Sequence, residues 1–168
     1  MSHDKKEYCI YKVPLIKRSQ PDGVEVCKAF NSKLPFPKTP SEVNLLQKLF
    51  PGTTFWISIQ DSTASGKKEN WKDLYTGENI GNSGVPRRDL FFRSFKFLEV
   101  YLKLCSRFWF LKFDLKLKWH PSSPRNLPKG QKQGGVVSAK IKNRVIDLPE
   151  SNKLEVLCVQ KLVPGSIG

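Results

Sequence analysis

Read for hydrophobic periodicity, the chain divides into a helical first part and a strand-rich last part. From Pro21 onward, Val26, Cys27, Phe30 and Leu34 form one stripe at near-helical spacing, with Asp22 as the candidate cap and Pro35 and Pro37 as the breakers. The second helix is the clearest local signal. Thr39 stands as its N-cap, Pro40 at the first helical position and Glu42 three residues after the cap. Leu45, Leu46, Leu49 and Phe50 then supply an apolar face before Pro51 and Gly52 stop it. Residues 53–59 are rich in β-branched and aromatic types and predict a mostly buried strand. A polar run over 60–70 leads to Trp71, Lys72 and Asp73 and a turn at 76–79. Residues 136–141 and 154–159 alternate or run apolar as paired strands do. Two early helices followed by several strands predict an α+β domain.

Two stretches break this pattern. Residues 120–135 hold Pro, Ser, Gly and Lys without a hydrophobic period, which predicts a long irregular loop. Residues 81–118 carry nine Lys and Arg against three acids, interleaved with Phe, Leu, Tyr and Trp. Phe91, Phe95, Leu98, Leu102 and Cys105 share one face if helical, while Phe113, Leu115, Leu117 and Trp119 alternate with Asp114, Lys116 and Lys118 as in a strand. Three readings stay open for this stretch. It is a basic amphipathic element for an anionic membrane or a nucleic acid, an extra helix and strand covering the core, or a segment never selected to fold.

Charge and composition narrow the classes. The 168 residues are 39% hydrophobic and 11% aromatic, enough for one packed domain and unlike a disordered chain. The net charge of +14 favours nucleic acid, anionic glycan or an anionic membrane surface as partner, without choosing among them. No apolar run reaches 18 residues, and the first seven residues lack the apolar core of a secretory signal, which taken literally predicts a soluble chain that is not exported. The four cysteines, Cys9, Cys27, Cys105 and Cys158, form no C-x-x-C pair, which argues against a zinc ribbon or thioredoxin chemistry and leaves free thiols or disulfides. Catalytic signals are absent. His3 and His120 are the two histidines, neither belongs to a known motif, and Asp61, Glu69 and Asp73 read as solvated loop acids. The expectation is no enzyme and no cofactor.

Several segments, taken in order, carry a resemblance. Cys9 opens an early strand Cys9-Ile10-Tyr11-Lys12-Val13, Cys27 lies on the first helix, and Trp56-Ile57-Ser58-Ile59 begins the central strand. Trp119-His120-Pro121-Ser122-Ser123-Pro124 then opens the long loop, and Leu157-Cys158-Val159-Gln160-Lys161 closes the chain. Over residues 8–80 and 118–162 this order and spacing resemble the C-type lectin-like domain, with its Trp-Ile-Gly-Leu strand, proline-containing loop and final cysteine strand. The resemblance implies an α+β fold of two helices packed on small antiparallel sheets with a long irregular loop region. It implies a single domain over residues 8–162, interrupted by an insertion at about 81–118.

The resemblance also implies a disulfide between Cys27 and Cys158, closing a loop of more than a hundred residues and stabilising the fold by about 5 kcal/mol. Such a bond belongs to an oxidising compartment, so the resemblance places the protein outside the cell although the chain shows no signal segment. The cysteine that matches Cys9 pairs, in long forms, with one about ten residues earlier, so the first strand looks truncated. Cys9 and Cys105 are left to pair together, stay free or link another chain. The second disulfide of the loop region is missing at both ends, where Gly135 and Glu150 stand.

Calcium-dependent sugar binding in such domains uses a Glu-Pro-Asn or Gln-Pro-Asp triplet and a Trp-Asn-Asp triplet. Here they read Ser123-Pro124-Arg125 and Val145-Ile146-Asp147, too few oxygens and too much positive charge for a calcium ion. No metal is therefore expected. The ligand-binding candidates are Ser123, Arg125, Lys129, Lys132 and Asp147, which suit an anionic glycan or an acidic protein face. The alternative is a cytoplasmic nucleic-acid-binding protein that uses the insertion.

Overall fold

The computed structural model describes residues 7–61, 63–64, 70–80, 106–108, 119–123 and 130–162. The strands are β1 (Glu7–Arg18), β2 (Phe55–Asp61), β3 (Trp71–Asp73), β4 (Ser106–Phe108), β5 (Gln133–Val137), β6 (Val145–Pro149) and β7 (Leu154–Leu162). Two helices, α1 (Gln20–Ala29) and α2 (Pro40–Leu49), lie between β1 and β2 in the chain. The architecture is α+β.

The strands join in one sheet of order β4-β1-β7-β2-β5-β6, with β3 on the far end of β2. The strands connect through β2, which bonds on both sides. It meets β7 in parallel at Phe55 and Glu155, and β5 antiparallel from Phe55 to Asp61. The segments 136–141 and 154–159 are thus not partners, since β2 stands between them. Residues 138–144 form a turn instead of extending the strand, and Gln133 to Gly135 belong to the strand instead of the loop.

Burial explains why the central strands run apolar. Ile10, Phe55, Ile57, Ile59, Val137 and Leu157 pack with Val43 and Leu46 of α2 in one cluster. Tyr11, Trp56, Val136, Val156 and Cys158 pack with Cys27 of α1 in another. Neighbouring residues on a strand point to opposite faces, so a sheet with a helix on each face needs apolar side chains at consecutive positions.

The helix signals held for α2 and need amendment for α1. Thr39 caps α2, its hydroxyl accepting the Glu42 amide at 3.2 Å. In α1 the cap is Ser19 and not Asp22; the Ser19 hydroxyl accepts the Asp22 amide at 3.3 Å. The helix ends at Ala29, before either proline, and Asn31 turns the chain in the left-handed region at φ 51°. Phe30, expected in the core stripe, is 49% exposed, whereas Gly23 and Cys27 form the buried face. Small residues there let the helix lie close to β7, with a Cβ on Gly23 only 3.5 Å from Val156.

β5 needs its two glycines for a similar reason. A Cβ on Gly134 would lie 2.4 Å from Gln20 Oε1, and one on Gly135 would lie 2.2 Å from Ile59. Both distances are far below van der Waals contact. Of the insertion, β4 is the described part, an edge strand on β1 with Tyr8 opposite Phe108 and Ile10 opposite Ser106. The helical stretch 91–105 and the alternating stretch 113–118 lie outside the described residues.

Candidate ligand-binding site

The loop that carries most of the candidate residues is anchored on β6. Trp119 bridges in parallel to Val145, and the His120 amide donates to the Val145 carbonyl at 2.9 Å. The Trp119 ring meets the buried Trp71 edge-on, their centroids 4.7 Å apart. From this anchor the chain turns at once. The Ser123 amide donates to the His120 carbonyl at 2.8 Å, and His120 Nδ1 shares a hydrogen bond of 2.7 Å with the Ser122 hydroxyl. His120 is a loop residue that shapes a turn.

The other end of the loop returns to the same strand. The Glu150 amide donates to the Lys132 carbonyl at 3.1 Å, while Gln133 and Gly135 pair with Pro149 and Asp147. β6 therefore brings three of the candidates to one strand. Ser123 hangs from its first residue, Asp147 lies at its centre, and Lys132 sits beyond its end. Arg125 and Lys129 lie outside the described residues, as does Pro124.

Burial separates these candidates. Lys132 is exposed, but Asp147 is fully buried and Ser123 nearly so at 3%. As they stand, neither Asp147 nor Ser123 offers its side chain to a ligand at the surface. At Gly135 and Glu150, where the resemblance would put the ends of a loop disulfide, there are packing and hydrogen bonds. Gly135 fits against Ile59, and the Glu150 carboxylate accepts from Gln60 while its carbonyl accepts from the Gln20 amide at 2.9 Å.

The described residues of the two triplets offer few open oxygens. Val145 and Ile146 offer no side-chain oxygen and Asp147 is enclosed. Among the described residues no three His, Cys, Asp or Glu side chains are grouped to hold a metal.

The acids read from sequence as solvated prove structural. Asp61 is fully buried and accepts from the Thr63 amide and hydroxyl at 3.0 and 2.8 Å. Asp73, also buried, accepts from Ser58 Oγ at 2.6 Å and from the Thr76 amide and hydroxyl at 3.0 and 2.7 Å. Each carboxylate is occupied in holding a turn, and Glu69 lies outside the described residues.

Cys27 and Cys158 form a disulfide between α1 and β7, with Cα atoms 5.4 Å apart. Cys9 is disulfide-bonded as well, and no described cysteine is free. No helix among the described residues is long and apolar enough to cross a membrane.

No family model matches the chain, and no curated protein matches it either. Solved structures do. The mouse scavenger receptor C-type lectin carbohydrate-recognition domain is 18% identical, with a TM-score of 0.57 over 98% of this chain and 96% of that one. The tunicate lectin TC14 of Polyandrocarpa misakiensis is 16% identical, with a TM-score of 0.53 over 93% of this chain and 99% of its own. The C-type lectin domain of murine dendritic cell inhibitory receptor 2, solved in complex with N-glycan, is 11% identical, with a TM-score of 0.59 over 96% of this chain and all of that one. The chain has the C-type lectin fold. At these identities the likeness is one of fold.

Proposed function

We propose that this protein is a non-catalytic recognition module that binds a glycan or an extracellular protein without calcium at the usual site. Residues 8–162 form its single domain, with the insertion at 81–118 outside the recognition surface. The surface is the long loop, where Arg125, Lys129 and Lys132 supply positive charge for a sulfated or sialylated glycan, and Ser123 and Asp147 are the buried polar residues where its described part meets β6.

The observation that carries this reading is the enclosed Asp147 between apolar neighbours on β6, in a fold shared with lectin domains. A calcium-dependent site would need open oxygens at that strand. The Cys27–Cys158 bond supports an oxidising, extracellular setting over the cytoplasmic nucleic-acid reading. The occupied carboxylates of Asp61 and Asp73 support a module that performs no catalysis.

A panel of short sialylated and sulfated oligosaccharides, probed with calcium and with chelator, tests the proposal. Binding is expected to be equal in both conditions and to fall at least tenfold in the variant R125E/K129E/K132E. Binding that requires calcium, or that is unchanged in the variant, overturns it.

A further inference from the structure

The turn between β5 and β6 carries Lys140, Lys142 and Arg144, all exposed, within five residues. Its conformation is held from several sides. Gln47 of α2 donates through Nε2 to the carbonyls of Ser138 and Ile141 at 2.8 and 2.7 Å, and its Oε1 accepts the Asn143 amide at 3.2 Å. The Ala139 amide donates to Thr54 Oγ1 and the Lys140 amide to Ser138 Oγ, both at 3.2 Å. Asn143 adopts the left-handed conformation at φ 58°, which brings the chain back into β6. Lys48, also exposed, follows Gln47 in the last turn of α2.

Three cations elsewhere on the surface are held in ion pairs. Lys12, Lys28 and Lys38 each have a carboxylate oxygen within 4.0 Å, from Glu155, Glu25 and Glu78. None of Lys48, Lys140, Lys142 and Arg144 has an ion-pair partner among the described residues, and the one acid of β6, Asp147, is enclosed. Three unpaired cations on a braced turn present charge that needs no prior separation from a carboxylate and little ordering on binding.

We infer that this turn is a docking site for a sulfated polysaccharide, distinct from the long loop and independent of what the loop binds. The polymer's sulfates replace the counterions of the turn, which makes the contact strong at low salt. A sulfated glycan fits better than a nucleic acid on two counts. The segment 138–144 contains no aromatic side chain on which a base would stack. The disulfide supports an oxidising, extracellular setting, where sulfated glycans are the abundant polyanions.

The test measures binding of the full chain to immobilised heparin over a salt series, with desulfated heparin and a single-stranded DNA of similar length for comparison. The variant K140E/K142E/R144E alters exposed positions only. It is expected to keep its melting temperature and its response to short glycans, to bind heparin at least tenfold more weakly, and to lower the slope of log affinity against log salt by about three. Gln47→Ala leaves net charge untouched and is expected to weaken heparin binding severalfold by releasing the turn. Heparin affinity within twofold of wild type in the folded triple variant overturns the site. Tighter binding of the DNA than of heparin overturns the choice of partner. Loss of short-glycan binding in R125E/K129E/K132E with heparin binding retained separates the two surfaces.

Discussion

Glu42 shows how one carboxylate can serve a helix start and still oppose folding at neutral pH. Its amide is capped by Thr39, and its carboxylate reaches back to the Lys38 amide, closing the first turn of α2. Burial pushes its pKa above the ordinary 4.5, outweighing the Lys38 and Thr39 backbone hydrogen bonds that pull it down. A raised pKa in the folded state means that folding takes up a proton. The resulting stability is fully present below 4.5 and is lost as pH rises through the raised value. In Glu42→Gln this titration disappears. Wild type should therefore lose melting temperature relative to E42Q as pH is raised from about 4 to 7, by thermal denaturation in matched buffers. A difference that stays constant or runs the other way refutes the assignment. Gln20 is the residue-scale feature that sequence reading missed. It is the first residue of α1, a position where a polar side chain usually faces water, yet it is fully buried. Its Nε2 donates to the carbonyls of Ile57 and Ile59 at 2.8 and 2.9 Å, within the stretch where the pairing of β2 with β5 shifts register. Buried carbonyls that a bulge deprives of ladder partners need a donor from elsewhere. Nothing in the local pattern around position 20 announces that need.

Among the elements, α1 and β7 depend most on covalent closure. α1 is ten residues long and buries only Gln20, Gly23 and Cys27, so it has little apolar face with which to hold itself to the sheet. The Cys27–Cys158 bond spans 131 residues and ties the helix to the centre of β7. The chain-entropy model gives it about 5 kcal/mol. Replacing both cysteines by serine should cost a comparable amount in chemical denaturation, while a non-reducing peptide map of wild type should show the 27–158 cross-link. The same map bears on Cys9, which is disulfide-bonded in β1. Cys105 is the one cysteine left in the chain and is therefore the expected partner. Free Cys27 and Cys158 in a folded sample, or a double serine variant as stable as wild type, would remove the basis of this argument.

The whole molecule is organised around β2 and β7, which occupy the middle of the sheet, with β4 at one edge and β6 at the other. Of the described residues, deleting 83–117 takes away only the three of β4, an edge strand, and β1 keeps its long antiparallel ladder with β7. With Cys9→Ser included to avoid a stray thiol, the shortened chain should unfold cooperatively, retain the 27–158 bond and keep its glycan response. A chain that fails to fold, or one that loses salt-sensitive RNA or DNA binding shown by wild type, would make the insertion part of the core or of the function. Legibility followed locality at this scale. The α2 signals are confined to about a dozen residues and transferred unchanged, whereas the extent of β5 depends on β2, remote in the chain. Val145 to Pro149 pairs with Gln133–Val137 across the turn at 138–144, a hairpin that the triplet comparison did not reveal.

The amino-acid sequence by itself determined the α+β class, the cap and stop of α2, the buried character of β2 and the poverty of oxygen donors at the two triplets. Each of these follows from residue type and short-range spacing, which act through backbone sterics, capping and the identity of side-chain donors. Only the tertiary structure decided that Asp61, Asp73 and Asp147 are enclosed, that Gln20 and Gln47 brace distant backbone, and that Gly134 and Gly135 admit Gln20 and Ile59. Those outcomes depend on which surfaces meet across the sheet, and burial, unlike helical propensity, is a property of the meeting and not of the residue.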